Sequence, residues 1–225
     1  MLSDGLFTKL LDLACGAFLL AAVVMLWRRE LAAEVRVLAL QGVALTGVAA
    51  LIGLHETRWD LVAVAVGIGL LRAGALPVLL RRALAGSGDP EETHPQVDGW
   101  ANGAGSLLTA AALTLLAYVV ARPLVALHPN PVTRALPVGL AVVLIGFFVL
   151  ATRRHAAAQV IGFLLLDNGI TAIAFLAASG VPLIVELGVS FDLLLAVLVL
   201  HILTARMRDV FGSAAHTDDL QELHD

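Results

Sequence analysis

Charge is scarce in this chain. Only 14% of its 225 residues are Asp, Glu, Lys or Arg, and 60% are hydrophobic. An ordinary soluble domain is about 25% charged and about 45–50% apolar. A soluble core of this length cannot absorb so much apolar surface, which excludes a soluble globular domain and points to a polytopic membrane protein. Cysteine is nearly absent too. Cys15 stands alone, so an internal disulfide framework is excluded, and its place in an apolar run reads as a small buried hydrophobe rather than a reactive thiol. The first apolar run has neither an early basic region nor a small-residue cleavage site, so it is expected to be a true span. Gly-rich phosphate loops, Cys/His sets with metal-ligand spacing and Ser–His–Asp patterns are missing. Seven histidines are scattered, with no i, i+4 pair, and only His201 falls inside an apolar run, which argues against haem held between helices. The expectation is a chain without a catalytic centre, cofactor or metal site of its own and without a nucleic-acid partner.

What is present is a series of long apolar runs. A helix needs about 20 mostly apolar residues to cross the hydrocarbon core. Seven runs meet that length, at roughly 6–27, 36–54, 59–80, 104–122, 135–152, 157–179 and 182–205. Polar or Pro/Gly-containing segments separate them, including RRELAAEVR, HETRWD, the long loop RRALAGSGDPEETHPQVDGWANG, ARPLVALHPNPVTR and the basic break TRRH. The turn ASGVP is short enough to make the last two runs an antiparallel hairpin. The fold class is therefore all-α, a membrane bundle of about seven helices with a polar tail.

Arginine placement orients the bundle. Arg28, Arg29, Arg36, Arg81, Arg82, Arg153, Arg154, Arg206 and Arg208 occupy one side, against Lys9, Arg58, Arg122 and Arg134 on the other, nine against four. That bias puts the N-terminus outside and the C-terminus in the cytoplasm. An odd number of spans follows, in agreement with the hydropathy.

The chain also hints at an internal repeat. WRRELAAEVRVLALQGVALTG aligns with TRRHAAAQVIGFLLLDNGITA, matching Arg28–Arg29 with Arg153–Arg154 and, after a one-place shift, Gln41–Gly42 with Asn168–Gly169. The expected plan is an N-terminal three-helix unit over 1–83, an acidic loop and linking span over 84–134, a C-terminal three-helix unit over 135–208 and a tail over 209–225.

Several ionisable residues lie inside the apolar runs. Arg72, Asp167 and Asp192 fall near the centres of the third, sixth and seventh runs, with Asn168 beside Asp167. Glu186 opens the seventh run and His201 lies toward its cytoplasmic end. A charge at mid-bilayer costs at least about 2.5–3.5 kcal/mol, so these side chains are expected to face protein or water and to mark a proton or ion path. Their bland alternative is a structural ion pair, and for His201 contact with head groups or a helix end. Glu186 and Asp192 are about 240° apart around the helix and cannot share one narrow face. Lys9 and Asp12 read as an interfacial pair. Gly67, Gly69 and Gly74 read as helix–helix contacts, and Pro77 is expected to kink the third helix just past Arg72.

The stretch IGFLLLDNGITAIAFLA, followed by VPLIVELGVSFDLLLAVLVLHILTAR, resembles the E component of hydrogenase-4. The shared features are Asp167–Asn168–Gly169, Pro182, Val185–Glu186, Gly188 and Asp192, with Arg72 as the basic residue of the third helix. One departure is Asp167, where that family commonly has the longer Glu. The C-terminal three-helix unit is also similar to the K subunit of bacterial complex I, with Arg153–Arg154 in the basic loop and Asp167 and Asp192 in the following helices. The resemblance implies a non-redox membrane subunit of a group 4 hydrogenase or formate hydrogenlyase-like assembly, embedded beside antiporter-like subunits. The redox centres would lie on other subunits, since one cysteine cannot hold an iron–sulfur cluster. Asp167, Asp192, Glu186, Arg72, His201 and Asn168 would contribute to translocation of H⁺ or Na⁺. A stand-alone ion or solute transporter, and a purely structural linker, remain the alternatives.

Overall fold

The computed structural model describes residues 3–28, 30–86, 103–153 and 156–178. The expected seventh span with Glu186, Asp192 and His201, the turn before it, the tail and most of the long loop lie outside these residues.

The described elements are helical. They are α1 (Asp4–Trp27), α2 (Leu31–His55), α3 (Trp59–Ile68), a π-helical segment (Gly69–Ala75), α4 (Leu76–Gly86), α5 (Gly103–Leu127), α6 (Pro131–Arg134), α7 (Leu136–Thr152) and α8 (Ala156–Ala178). Among the described residues six stretches are long and apolar enough to cross a membrane: Asp4–Trp27, Ala32–His55, Trp59–Arg82, Gly105–Leu127, Pro131–Thr152 and Ala158–Ala177. Helices suit that setting because they satisfy every interior backbone group within one segment. Leu13, Leu20, Leu70, Leu108, Leu115 and Val119 are exposed, as side chains facing lipid would be.

Three boundaries differ from expectation. α2 begins at Leu31, which moves Glu34 from the loop into the helix. α5 runs on through Pro123 to Leu127, since a membrane helix tolerates one proline whose missing N–H leaves the remaining ladder intact. The next span begins early, with the short α6 ahead of it. Asn130 Oδ1 accepts the Thr133 N–H at 2.7 Å and Thr133 Oγ1 accepts the Asn130 N–H at 3.1 Å, a reciprocal cap reinforced by Pro131.

Pro77 acts on the N-terminal side rather than beyond Arg72. Its ring has no N–H and would crowd the carbonyl four residues back. The backbone instead widens into the π segment over 69–75, where the Leu76 N–H reaches back to the Leu71 carbonyl. Arg72 therefore sits inside the widened turn.

Small residues set the helix spacing. α7 and α8 run antiparallel, and glycines recur at seven-residue intervals on both, Gly139 and Gly146 on α7, Gly162 and Gly169 on α8. A Cβ at Gly146 would lie 2.5 Å from the Leu166 nitrogen, one at Gly162 2.8 Å from the Leu150 nitrogen, and one at Gly169 2.7 Å from the Val143 nitrogen. α2 presses on the π segment in the same way, since a Cβ at Gly42 would lie 2.9 Å from the Ala73 nitrogen. A Cβ at Gly69 would lie 2.9 Å from Thr46 Oγ1, whereas one at Gly74 would meet nothing within 4 Å, so Gly74 is not the helix contact expected of it.

α2 is the central strut, packed on α1, α3, the π segment and α8, while α7 meets α1 and α5. Phe7, Phe18, Leu45, Ile52, Ile145, Ile161 and Phe175 fill the space between them. Cys15 is buried and free. Lys9 and Asp12 are both exposed, and the interfacial pair expected of them is not among the ion pairs of the described residues.

Candidate functional site

Five polar side chains from three elements converge near mid-span. Arg72, on the π segment, is 2% exposed; Asp167 and Gln41 are 8% and 0%; Asn168 and Thr171 are buried as well. Asp167, Asn168 and Thr171 share one side of α8 because they are three and four residues apart. Gln41 comes from α2, beside the Gly42 that lets the Arg72 backbone approach.

Arg72 is the hub. Its Nη1 forms an ion pair with Asp167 Oδ2 and donates to Asn168 Oδ1 at 2.6 Å. Its Nη2 donates to Thr171 Oγ1 at 2.9 Å. Asn168 Nδ2 in turn donates to Gln41 Oε1 at 2.9 Å, joining α8 to α2. One guanidinium thus meets three acceptors on one helix, the fork geometry that suits arginine better than lysine. Cation and anion cancel, so the cluster carries no net formal charge into an apolar setting.

A second ion pair, with only its carboxylate buried, lies at the end of the bundle where α1 and α7 terminate and α2 begins. Glu34 is 2% exposed and its Oε1 accepts from Arg153 Nη2 at 3.1 Å. The same Nη2 donates to the Arg28 carbonyl at 2.8 Å. At the opposite end, the His55 ring stacks on Phe7 with centroids 3.9 Å apart, and Arg58 pairs with Asp60 at 2.6 Å.

Over all 225 residues the chain is 48% identical to the uncharacterized protein Rv0085 of Mycobacterium tuberculosis, with both chains covered in full. The chain belongs to the Rv0085 family. A more distant similarity links it to hydrogenase-4 component E of Escherichia coli and of Shigella flexneri, at 29% identity over 106 residues, 47% of this chain and 49% of theirs. No family model and no solved structure matches it.

Of the six residues singled out in the sequence, Arg72, Asp167 and Asn168 meet in one cluster. Asp192, Glu186 and His201 lie outside the described residues. Gln41, Thr171 and Glu34 were not singled out. Gln41 did carry a signal, because the internal alignment sets Gln41–Gly42 against Asn168–Gly169, and the two amides are hydrogen-bonded to each other. Glu34 was hidden by the boundary that left it in a loop. Among the described residues no group of three or more His, Cys, Asp or Glu is placed to hold a metal ion.

Proposed function

We propose that this chain is an integral membrane subunit of a hydrogenase-4-like, complex I-related assembly, and that Asp167 with Arg72 forms one charge-compensated element of its proton or Na⁺ path. The observation that carries this reading is the Arg72–Asp167 pair, buried near mid-span between two helices. The partial likeness to hydrogenase-4 component E supports the assembly. In this reading Asp192, Glu186 and His201 belong to the same path, the C-terminus is cytoplasmic, and the chain divides into two three-helix units joined by the fourth span.

The cluster can work as a two-state element. With Asp167 ionised, Arg72 pairs with it. With Asp167 protonated, Arg72 still has the neutral acceptors Asn168 and Thr171, so the cation stays seated while the acid is released from it. Movement of charge in a neighbouring antiporter-like subunit would bias that exchange. A structural staple is the rival reading, since the same bonds also fix the π segment to α8.

The test begins with the tagged full-length chain in mild detergent. Hydrogenase-type and antiporter-like subunits are expected to co-purify, and a lone, monodisperse chain overturns the assembly reading. In vesicles of the purified complex, Asp167→Asn lowers ion movement per assembled complex, and Asp167→Glu retains it. Unchanged movement in Asp167→Asn removes this residue from the path.

A further inference from the structure

Glu34 resembles a helix-capping acid at first sight. It is the fourth residue of α2, where the helix dipole favours a carboxylate, and Arg153 sits at the C-cap of α7. Two observations go beyond capping. Glu34 is far more buried than the cation it meets, at 2% side-chain exposure against 22% for Arg153. It also lies seven residues before Gln41 on α2, which is about 10 Å along the axis and within about 20° of the same azimuth. Gln41 touches the central cluster through Asn168. Its Nε2 is buried and has no hydrogen-bond partner among the described residues. Between the two stands Leu38, on the same face and 2% exposed.

We infer that Glu34 is a proton-exchanging carboxyl at the Arg153 end of the bundle, serving the Arg72–Asp167 cluster across an apolar layer at Leu38; this rests on the reading of that cluster as part of an ion path. A proton from water at the Arg153 rim binds Glu34 Oε1 in place of the Arg153 N–H. Arg153 keeps its bond to the Arg28 carbonyl, so the rim does not open. The proton then passes to a water that wets the layer at Leu38, where the spare Gln41 N–H can hold that water's oxygen. Glu34 returns to the carboxylate and pairs with Arg153 again. One proton enters and one leaves, with no redox change.

The experiment uses membranes that contain the full-length chain, treated with N,N′-dicyclohexylcarbodiimide, which modifies protonated carboxyls in apolar surroundings. Mass spectrometry is expected to find an adduct on Glu34, lost in Glu34→Gln and increased in Arg153→Gln, where the competing cation is gone. A permanently paired structural carboxylate stays unmodified, so absence of the adduct in both the parent chain and Arg153→Gln overturns the inference. In vesicles of the assembled complex, Glu34→Gln abolishes ion movement per complex and Glu34→Asp restores it; unchanged movement in Glu34→Gln overturns it as well. An adduct on Glu34 in a chain that brings down no partner subunits supports this assignment while the assembly reading falls.

Discussion

Breaking the Arg72–Asp167 pair from either side removes a different interaction. Asp167→Asn leaves a guanidinium that is 2% exposed and cannot give up its proton. Its bonds to Asn168 and Thr171 survive, yet the counter-charge is gone, and removing one partner of a buried pair costs about 3–5 kcal/mol. That is a large share of a total stability of about 5–15 kcal/mol. Arg72→Met leaves a carboxyl that can shed its charge by binding a proton. Its main loss is the donor to Asn168 Oδ1 and Thr171 Oγ1, about 1–3 kcal/mol for each buried acceptor left unsatisfied. The double variant Arg72→Met/Asp167→Leu contains no buried charge, and apolar replacement of such pairs is often neutral or stabilising by about 1–4 kcal/mol, but Asn168 Oδ1 and Thr171 Oγ1 lose the Arg72 donor in it as they do in Arg72→Met. Its loss of stability should therefore be smaller than the sum of the losses of Arg72→Met and Asp167→Leu. The assay is thermal unfolding of the detergent-solubilised full-length chain, with Arg72→Met, Asp167→Leu and their double variant as the corners of the double-mutant cycle and Asp167→Asn melted beside them. An Asp167→Asn melting curve that overlays the parent, or strictly additive single effects in the double variant, would refute the pair as a coupled interior element.

Three other outcomes test separate parts of the structure. Gly146→Ala places a methyl 2.5 Å from the Leu166 backbone nitrogen, and such overpacking costs about 1–3 kcal/mol. Gly16→Ala meets nothing within 4 Å and should gain up to about 1 kcal/mol of helix propensity; equal melting temperatures for the two would contradict the α7–α8 packing. Gln41→Leu removes the acceptor of the Asn168 N–H and should lower the melting temperature by the equivalent of about 1–3 kcal/mol; an unaltered melt would mean that the α2–α8 amide bond is not formed. A reporter at the C-terminus that is active only in the cytoplasm is expected from the arginine bias, and activity outside would reverse the orientation.

The fold class and the six described spans came from a one-dimensional property. A bilayer demands about 20 apolar residues per helix, so the runs that became α1, α2 and α8 were visible without knowing what any helix touches. Arg72 and Asp167 stood out for the same reason, as charges surrounded by apolar neighbours. Contact geometry was not legible, because a membrane helix is apolar on nearly every side and its sequence does not show which side faces protein. Only the packed bundle distinguishes Gly69, pressed on Thr46, from Gly74, which meets nothing within 4 Å. The π turn around Arg72 follows from Pro77 together with close approach to Gly42, a long-range condition that no local pattern encodes. Glu34 and Gln41 show the same division. Each is an ordinary residue in the sequence, and each acquires a partner more than a hundred positions away only when α2 is set between α1, α7 and α8. Hydrophobic length fixes where a helix starts and stops in the membrane; side-chain interlock between helices fixes its rotation, and rotation decides which polar groups meet.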